Sequence, residues 1–254
     1  MLPIDNFETK FADLIVMANS YFQFRKFTVW QDKCAMKVGT DGVLLGAWTN
    51  ASGNLNILDV GAGTGLLSLM LAQRTTGYID SVEIDMQAAE QAEENYEKSI
   101  WHSRIKMYKL SIQEFYKVYN KTYDLIVSNP PFFMEGIKAP DNRRALARHS
   151  DTLSLTELFR ISKDLLSENG RLSIIIPSSK RSSFIEGSME NELHLSRQTE
   201  VKPNRNKSPH RLLLEVSKIP VKECEYNQII IEDNLRHVYT EEYISLTKDY
   251  YLSF

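Results

Sequence analysis

The amino-acid sequence predicts an α/β protein built on a doubly wound, mostly parallel sheet of seven strands. Short apolar runs alternate with helix-length amphipathic segments from residue 54 onwards, a pattern typical of right-handed βαβ units. The apolar runs are rich in β-branched residues and often apolar on both faces, as expected of strands covered by helices on both sides. A chain of 254 residues is long enough to bury a large core in one main domain.

The predicted elements follow in order along the chain. The first five strands are short and apolar, and occupy residues 56–60, 79–84, 104–109, 123–128 and 171–177. The helices between them carry apolar residues at helical spacing and occupy residues 66–74, 86–98 and 155–166. Residues 192–201 and 211–218 are predicted to form an antiparallel pair of strands at the sheet edge, before a closing helix over 240–250. Residues 1–50 hold no complete βαβ unit, so we interpret them as an appendage that packs on a main domain of residues 51–254.

The composition excludes several classes of protein. Apolar residues make up 43% and charged residues 25% of the chain, as in ordinary folded soluble proteins. Cys34 and Cys224 are too few for a disulfide framework and lie in no CxxC motif, which favours a reducing compartment. No apolar stretch reaches the roughly 18 to 20 residues that a membrane span requires, and the histidines and cysteines lack metal-ligand spacing. We therefore expect a cytoplasmic protein with no membrane segment and no metal.

A glycine motif, residues 59–65, lies between the first predicted strand and the first predicted helix. It places Asp59, Gly61, Gly63 and Gly65 at every second position. Glycines at a strand-to-helix turn let a ligand approach the backbone closely, although a tight turn without a ligand would also use them. The dinucleotide fingerprint has its third glycine one residue later. The form found here resembles the first motif of class I S-adenosylmethionine-dependent methyltransferases, which implies S-adenosyl-L-methionine as the cofactor.

Polar residues at the ends of the next two strands extend the predicted cofactor site. Glu83 ends the second strand, where an acidic side chain can accept hydrogen bonds from both hydroxyls of a ribose. Asp85 is predicted to cap the following helix, since carboxylates are favoured at helix N-termini. Ser111 lies where the methyltransferase pattern usually has an acidic residue against the adenine amino group. A serine can still accept a hydrogen bond there, but it carries no charge.

The loop Asn129-Pro130-Pro131-Phe132 follows the fourth predicted strand and is the candidate catalytic loop. Consecutive prolines cannot extend a buried parallel strand because they donate no backbone hydrogen bond. They form a rigid loop at the carboxyl end of the sheet, where ligands bind. The side-chain oxygen of Asn129 and the carbonyl of Pro130 would accept both N–H hydrogens of a planar amine, which orients its nitrogen for attack. Phe132 is expected to stack on the flat target group.

Two more motifs occur near the N-terminus. Residues 22–27 read FQFRKF and residues 34–48 read CAMKVGTDGVLLGAW; Thr40 or Asp41 could cap the apolar helix that begins here. With the glycine motif, VEID and NPPFF, these motifs have the same order and similar spacing as in bacterial tRNA (adenine-N6)-methyltransferases. That family modifies adenine 37, next to the anticodon, of a valine tRNA. The chain resembles it over about residues 18–254.

This resemblance implies a class I methyltransferase fold, which is Rossmann-like, with S-adenosyl-L-methionine as methyl donor. It implies the anticodon stem-loop of a tRNA as the partner. It also implies that the helix start lies against the cofactor, which makes Thr40 and Asp41 candidate binding residues. Family members tend to start just before residue 22, so residues 1–16 are interpreted as an extension.

Three segments rich in basic residues, over residues 20–48, 138–150 and 201–219, are predicted to bind RNA phosphates. The chain has a net charge of −3, but local potential steers a polyanion more than net charge does. Residues 201–219, for example, carry five basic side chains and one acidic; a solvated loop surface is the alternative for each segment. Phe24, Phe27 and Trp30 are interleaved with basic residues and suit unstacked bases. The candidate RNA contacts are Arg25, Lys26, Arg143, Arg144, Arg148, Lys202, Arg205 and Lys207.

The leading hypothesis from the sequence is methylation of adenine N6 in tRNA by a monomeric enzyme. Guanine-N2 rRNA methyltransferases also use NPPF, but they often carry an additional N-terminal domain for which this chain has no room. Protein glutamine methyltransferases usually have NPPY instead. A non-catalytic RNA- or cofactor-binding protein is the remaining alternative; Ser111 favours it, whereas the intact Asn129 argues against it.

Overall fold

The computed structural model describes residues 20–131 and 153–254. Several predicted features lie outside these ranges, namely the extension over residues 1–16, the aromatic residue of the catalytic loop and one basic segment. The residues concerned are Phe132, Arg143, Arg144 and Arg148. Among the described helices, none is long and apolar enough to cross a membrane.

The described part of the chain contains ten strands and seven α-helices. The strands are β1 (Tyr21–Gln23), β2 (Thr28–Trp30), β3 (Ile57–Val60), β4 (Ile79–Val82), β5 (Ile105–Tyr108), β6 (Tyr123–Ser128), β7 (Leu166–Pro177), β8 (His194–Asn204), β9 (Arg211–Ser217) and β10 (Glu225–Glu232). The helices are α1 (Thr40–Trp48), α2 (Leu66–Ala72), α3 (Met86–Glu97), α4 (Ile112–Val118), α5 (Leu155–Leu165), α6 (Arg181–Glu190) and α7 (Glu241–Thr247).

Eight of the strands form one sheet in the order β10-β8-β9-β7-β6-β3-β4-β5, and β1 and β2 form a separate hairpin. In the large sheet only β9 is antiparallel to its neighbours, β7 and β8. The predicted α/β class and mostly parallel sheet are confirmed, as is the antiparallel pairing of β8 with β9. The predicted number of seven strands is wrong, and so is the edge position of that pair, because β10 lies outside β8 as an eighth strand.

The amino-acid pattern of β10 explains why it was not predicted. Its sequence is EYNQIIIE, and Ile229 is the one buried residue in it. An edge strand with an exposed first half lacks the apolar run by which the other strands are predicted. Its place is decided by backbone pairing with β8, from Glu225 opposite Arg197 to Glu232 opposite Asn204.

Helices cover both faces of the sheet and create two buried clusters. Successive residues of β6 point to opposite faces. Leu125 and Val127 therefore belong to one buried cluster with residues of α1, α2 and the β1–β2 segment, whereas Ile126 belongs to the other, with residues of α4, α5 and α6. Phe24, between β1 and β2, is buried in the same cluster as Leu69 of α2. Burial on both faces is the reason why the central strands are continuously apolar.

The carboxyl ends of β3 and β6 lie side by side near the middle of the sheet. The hydroxyl of Ser128 donates a hydrogen bond of 2.8 Å to the carbonyl of Val60 and so ties the two strand ends together. The winding of the chain reverses between these strands, since β4 and β5 lie beyond β3, and β7 lies beyond β6. Such a switch point forms a crevice in which ligands bind. The glycine motif leaves β3 here and Asn129 leaves β6 here.

Candidate active site

The glycine motif turns the chain from β3 into α2 with three positive backbone angles. Gly61, Gly63 and Gly65 have φ of 73°, 55° and 81°, values that residues with a Cβ rarely adopt. A Cβ added to Gly61 or Gly63 would meet no other described atom within 4 Å, whereas one added to Gly65 would lie 2.4 Å from Cε1 of Tyr96. The first two glycines therefore border open space that a ligand can use, and the third is required for packing.

Asp59 lies directly below this turn and is completely buried. Its Oδ2 accepts hydrogen bonds from the backbone N–H and the hydroxyl of Ser68, at 3.1 and 2.7 Å. Its Oδ1 is buried and has no hydrogen-bond partner among the described residues. Burial raises the pKa of Asp59 to about 7, although the bonds from Ser68 act in the opposite direction. The carboxyl group thus holds the start of α2 and retains one unpaired acceptor atom.

Glu83 follows β4 and faces the glycine motif. Its Oε2 accepts a hydrogen bond of 2.8 Å from the backbone N–H of Gly63, and its Oε1 one of 2.9 Å from that of Asp85. Burial raises the pKa of Glu83, opposed by these backbone hydrogen bonds. Asp85 accepts hydrogen bonds from Gln87 and Ala88 at the N-terminus of α3. The predicted capping role of Asp85 is confirmed.

Ser111 is the N-cap of α4 and takes part in a capping box with Glu114. The backbone N–H and the hydroxyl of Ser111 both donate to Oε2 of Glu114, at 2.9 and 2.8 Å, and the N–H of Glu114 donates back to the hydroxyl. Ser111 nevertheless lines a small cavity together with Gly61 and Glu83. This minor cavity has a volume of about 70 Å³.

A larger cavity, which we call the central cavity, brings together most of the predicted cofactor and catalytic residues. Its volume is about 460 Å³. Gly61 lines both this cavity and the minor cavity, so the two adjoin at the first glycine of the motif. The predicted residues that line the central cavity are Thr40, Asp41, Gly61, Gly63, Asn129, Pro130 and Pro131.

The start of α1 packs closely against the first residue of α2 and against the catalytic loop. A Cβ added to Gly42 would lie 2.9 Å from Cδ2 of Leu66 and 3.9 Å from Nδ2 of Asn129. The N-cap of α1 is Gly39, which provides no side-chain hydrogen bond. The expectation that Thr40 or Asp41 caps this helix is therefore wrong, and both residues belong to its first turn at the cavity wall.

Arg211 is a cavity residue whose role the sequence did not reveal. It lies at the start of β9, lines the central cavity, and donates a hydrogen bond of 2.7 Å from Nε to Oδ2 of Asp41. The sequence shows it only as one of several cations in a basic segment. Its position in the sequence could have distinguished it from the other cations of that segment, because Arg211 directly precedes the apolar residues of a predicted strand.

Asn95 is a second residue that sequence reasoning missed. It is buried in α3, and its side-chain amide donates to the carbonyls of Trp30 and Thr64 at 2.8 and 2.9 Å. Its oxygen accepts the backbone N–H of Trp30 at 2.9 Å. Asn95 thereby joins the hairpin to the glycine motif. A polar amide among the apolar positions of an amphipathic helix is the signal that could have identified it.

The basic residues that are described differ in how far their charge is available. Lys26 and Lys207 are exposed and Lys202 is half-buried. Arg25 donates to the carbonyls of Tyr251 and Leu252, and Arg205 forms an ion pair with Asp233. Base stacking on Phe24 and Phe27 is excluded, because both rings are buried and stack on each other with centroids 4.7 Å apart.

The chain is similar in sequence to methyltransferases along nearly its whole length. Residues 37–203 match the family described as methyltransferase small domain. The tRNA1(Val) (adenine(37)-N6)-methyltransferase of Parabacteroides distasonis is 50% identical over 236 residues, which cover 93% of this chain and 99% of that protein. The chain belongs to the tRNA1(Val) (adenine(37)-N6)-methyltransferase family. The member from Flavobacterium psychrophilum is 49% identical over 233 residues, or 91% of this chain and 99% of that protein.

Solved methyltransferase structures share the fold of this family member. A predicted O-methyltransferase from Agrobacterium tumefaciens has a TM-score of 0.64 at 16% identity, covering 83% of this chain and 96% of that one. A geranyl diphosphate methyltransferase in complex with GPP and sinefungin has a TM-score of 0.52 at 12% identity, covering 69% and 76%. The predicted class I, Rossmann-like fold is confirmed. Methyltransferases of this family and fold use S-adenosyl-L-methionine, the cofactor that the glycine motif predicts.

Proposed function

We propose that the protein is a tRNA modification enzyme that transfers a methyl group from S-adenosyl-L-methionine to N6 of adenine 37 in valine tRNA. The observation that carries this proposal is the position of Asn129 and Pro130 in one cavity with Gly61 and Gly63. Relatives at 50% and 49% identity carry this activity in their names, which supports the same reaction here.

The residues around the glycine motif suit an elongated cofactor with a nucleoside at one end and a charged amino acid at the other. We assign the nucleoside end to the minor cavity, with Glu83 for the ribose and Ser111 for the adenine edge. The amino acid end is assigned to the central cavity, beside Thr40 and Asp41. Open space over Gly61 and Gly63 supports this assignment. When bound, the cofactor supplies an electrophilic methyl group on its sulfonium.

The catalytic loop would act on the adenine by orientation and polarisation. The Asn129 side-chain oxygen and the Pro130 carbonyl accept the two N–H hydrogens of the exocyclic amine, which aims the nitrogen lone pair at the methyl carbon. Accepting these hydrogens would stabilise the positive charge that develops on the nitrogen as its bond to the methyl carbon forms and the sulfur–carbon bond of the sulfonium breaks. One proton of the amine would then be released to solvent. Pro130 and Pro131 keep the acceptors in place because their φ angles are restricted. Phe132 is assigned to stacking on the target base.

The remaining assignments concern the substrate and the working state. The target adenine lies in a loop, so moving it out of the stack costs only a few kcal/mol. The tRNA phosphates are assigned to the basic segments, and among the described residues to Lys26, Lys202 and Lys207, because Arg25 and Arg205 are engaged within the protein. The anticodon stem-loop is the bound region. We propose that the protein acts as a monomer. We place the reaction in the cytoplasm, where tRNA is modified in bacteria.

The test is identification of the methylated product. The purified protein is incubated with labelled S-adenosyl-L-methionine and with total tRNA, ribosomal RNA or release factor in separate reactions. We expect N6-methyladenosine in tRNA, mapped to position 37 by digestion and mass spectrometry. The Asn129→Ala variant serves as the control for contaminating activity, since it should bind the cofactor but form product at least about 100-fold more slowly.

Other products would select other functions. N2-methylguanosine in ribosomal RNA or N5-methylglutamine in release factor would reject adenine as the acceptor. Cofactor binding without product on any acceptor would favour a binding protein. N6-methyladenosine at a different tRNA position would leave the reaction type intact and reject the assignment to adenine 37.

A further inference from the structure

An aromatic cavity lies beside the central cavity and takes no part in the function proposed so far. Its volume is about 540 Å³, within the usual range for small-molecule sites. The ring of Phe254 is edge-on to those of Tyr251 and Tyr239, with centroids 5.7 and 6.0 Å apart. The aromatic side chains that line it are Phe22, Tyr239, Tyr243, Tyr251 and Phe254.

The rings of this cavity differ in how much surface they leave accessible. Tyr243 is 3% exposed and belongs to the core, whereas Phe254 is 44% exposed. Tyr239 and Tyr251 are half-buried. The cavity therefore has a buried aromatic floor and an accessible aromatic wall. A flat ligand needs such an accessible ring face in order to stack.

The aromatic cavity shares a wall with the central cavity. Val38, Gly39 and Thr40 line both. This turn is held from behind, because the backbone N–H of Val38 donates a hydrogen bond of 2.8 Å to Oε1 of Gln31. A ligand in the aromatic cavity would consequently be the immediate neighbour of whatever occupies the central cavity.

Polar groups at the rim suit a nucleotide better than a purely apolar ligand. Arg236 and His237 are exposed and line the cavity. Glu232 also lines it, and its Oε1 accepts the backbone N–H of His237 at 3.0 Å. Rings for stacking, a guanidinium for a phosphate and polar atoms for a base edge are the groups that proteins use to hold unstacked nucleotides.

We propose that the aromatic cavity binds an unstacked nucleobase of the substrate RNA that is adjacent to the target adenine. This inference rests on the proposed function, since it takes the target to lie in the central cavity. Holding the neighbouring base would keep the loop open while the target adenine is turned towards Asn129. The cavity would thus contribute to RNA affinity and to the choice of nucleotide, and not to cofactor binding.

The test is a double-mutant cycle that combines removal of one side chain of the protein with removal of one base of the RNA. Two anticodon stem-loop RNAs are made abasic at the nucleotide before or after adenine 37, and their affinity is measured with S-adenosylhomocysteine present, so that no turnover is needed. We expect the wild-type protein to bind one abasic RNA about 5- to 150-fold more weakly than the intact RNA. Phe254→Ala should weaken binding of intact RNA to a similar extent and lose no further affinity for that abasic RNA.

Two further variants separate stacking from folding. Phe254→Leu keeps apolar packing but removes the aromatic face, so it should behave like Phe254→Ala. Tyr78→Ala removes an aromatic ring that is 65% exposed and lines a different cavity, and it should bind RNA like the wild type. All variants should keep the wild-type affinity for S-adenosylhomocysteine.

Three outcomes would overturn the inference. Unchanged RNA affinity in both Phe254 variants would show that the cavity does not hold a base. If the loss of affinity caused by Phe254→Ala added to the loss caused by removing the base in both abasic RNAs, the neighbouring base would bind elsewhere. Weakened cofactor binding in the Phe254 variants would make the cavity part of the cofactor site. Failure of the wild type to methylate adenine 37 would overturn the proposed function separately, because the binding cycle does not depend on turnover.

Discussion

The guanidinium of Arg211 donates a hydrogen bond of 2.7 Å from Nε to Oδ2 of Asp41, and both side chains line the central cavity. The two residues are 170 positions apart in the chain, at the starts of β9 and α1. The contact orients a carboxylate that we assign to cofactor binding, so Arg211 is a positioning residue in that proposal.

Arg211→Ala should weaken cofactor binding about tenfold, because Asp41 loses the partner that orients it. Both side chains are more than a third exposed, so the free energy of unfolding should fall by less than about 1 kcal/mol. Calorimetric titration with S-adenosylhomocysteine and chemical unfolding measure the two quantities. Lys163→Ala, which breaks another exposed ion pair, with Glu192, should leave cofactor affinity unchanged. A large loss of stability with unchanged cofactor affinity in Arg211→Ala would contradict the positioning role.

Asn129→Ala should lower kcat by about 100- to 1,000-fold, as expected when one preorganised polar group of a reaction site is removed. Cofactor affinity should stay within about threefold of wild type, since the side chain is assigned to the amine. Single-turnover kinetics on the stem-loop RNA measures the chemical step. Ser128→Ala is the matched control, because it removes the 2.8 Å hydrogen bond to Val60 next to Asn129 and should mainly cost about 1 kcal/mol of stability. Lost cofactor binding in Asn129→Ala would mean that the loop has another role.

Gly63→Ala and Gly65→Ala should differ although both glycines have positive φ. The new methyl group of Gly65→Ala would overlap the ring of Tyr96, and we expect it to cost more than about 2 kcal/mol of stability. The new methyl group of Gly63→Ala would meet no other described atom within 4 Å, so the protein should fold. It would occupy space that we assign to the cofactor, so cofactor affinity should fall instead. Thermal unfolding and cofactor titration of both variants check this. Equal stability of the two would contradict the packing role of Gly65.

The stability of the protein should depend on the titration of Asp59. Burial raises its pKa to about 7, whereas an unfolded chain releases the proton near pH 4. Between these values the folded state binds the additional proton, so this group makes the free energy of unfolding fall as pH rises. Asp59→Asn keeps an oxygen acceptor for Ser68 and removes the titration. Its stability relative to wild type should rise between pH 5 and pH 8 by on the order of 2 kcal/mol; urea unfolding showing the same difference at both pH values would exclude this.

Binding of tRNA should weaken steeply with salt, because cationic side chains release counterions from the phosphates. Lys207→Ala should lower the slope of log Kd against log salt concentration by roughly 1, because one phosphate contact is lost. Arg25→Ala should instead lower the melting temperature, since Arg25 donates to the carbonyls of Tyr251 and Leu252. Anisotropy titrations at several salt concentrations measure the slope for both variants, and thermal unfolding measures their melting temperatures. A flat salt dependence would contradict RNA binding through the basic segments.

The structural features that could be predicted from the sequence are those that depend on residues close together in the chain. The class of fold follows from apolar runs and helical spacing, and the turn at Gly61 and Gly63 follows from a motif whose backbone angles only glycine adopts readily. The capping by Asp85 follows from a local preference of helix ends. Each of these features is decided within a few residues of chain.

The tertiary structure decided what depends on contacts between distant segments. The strand β10 is recognised only through its pairing with β8. Phe24 and Phe27 are core residues because the hairpin packs on α3 and their rings pack against Tyr251 and Trp101. The pairing of Arg211 with Asp41 needs β9 and α1 to meet in space, and the aromatic cavity beside Thr40 needs α1 and the C-terminal residues to meet. Local pattern therefore determined the fold class and the cofactor motif, whereas long-range packing determined which side chains share the site.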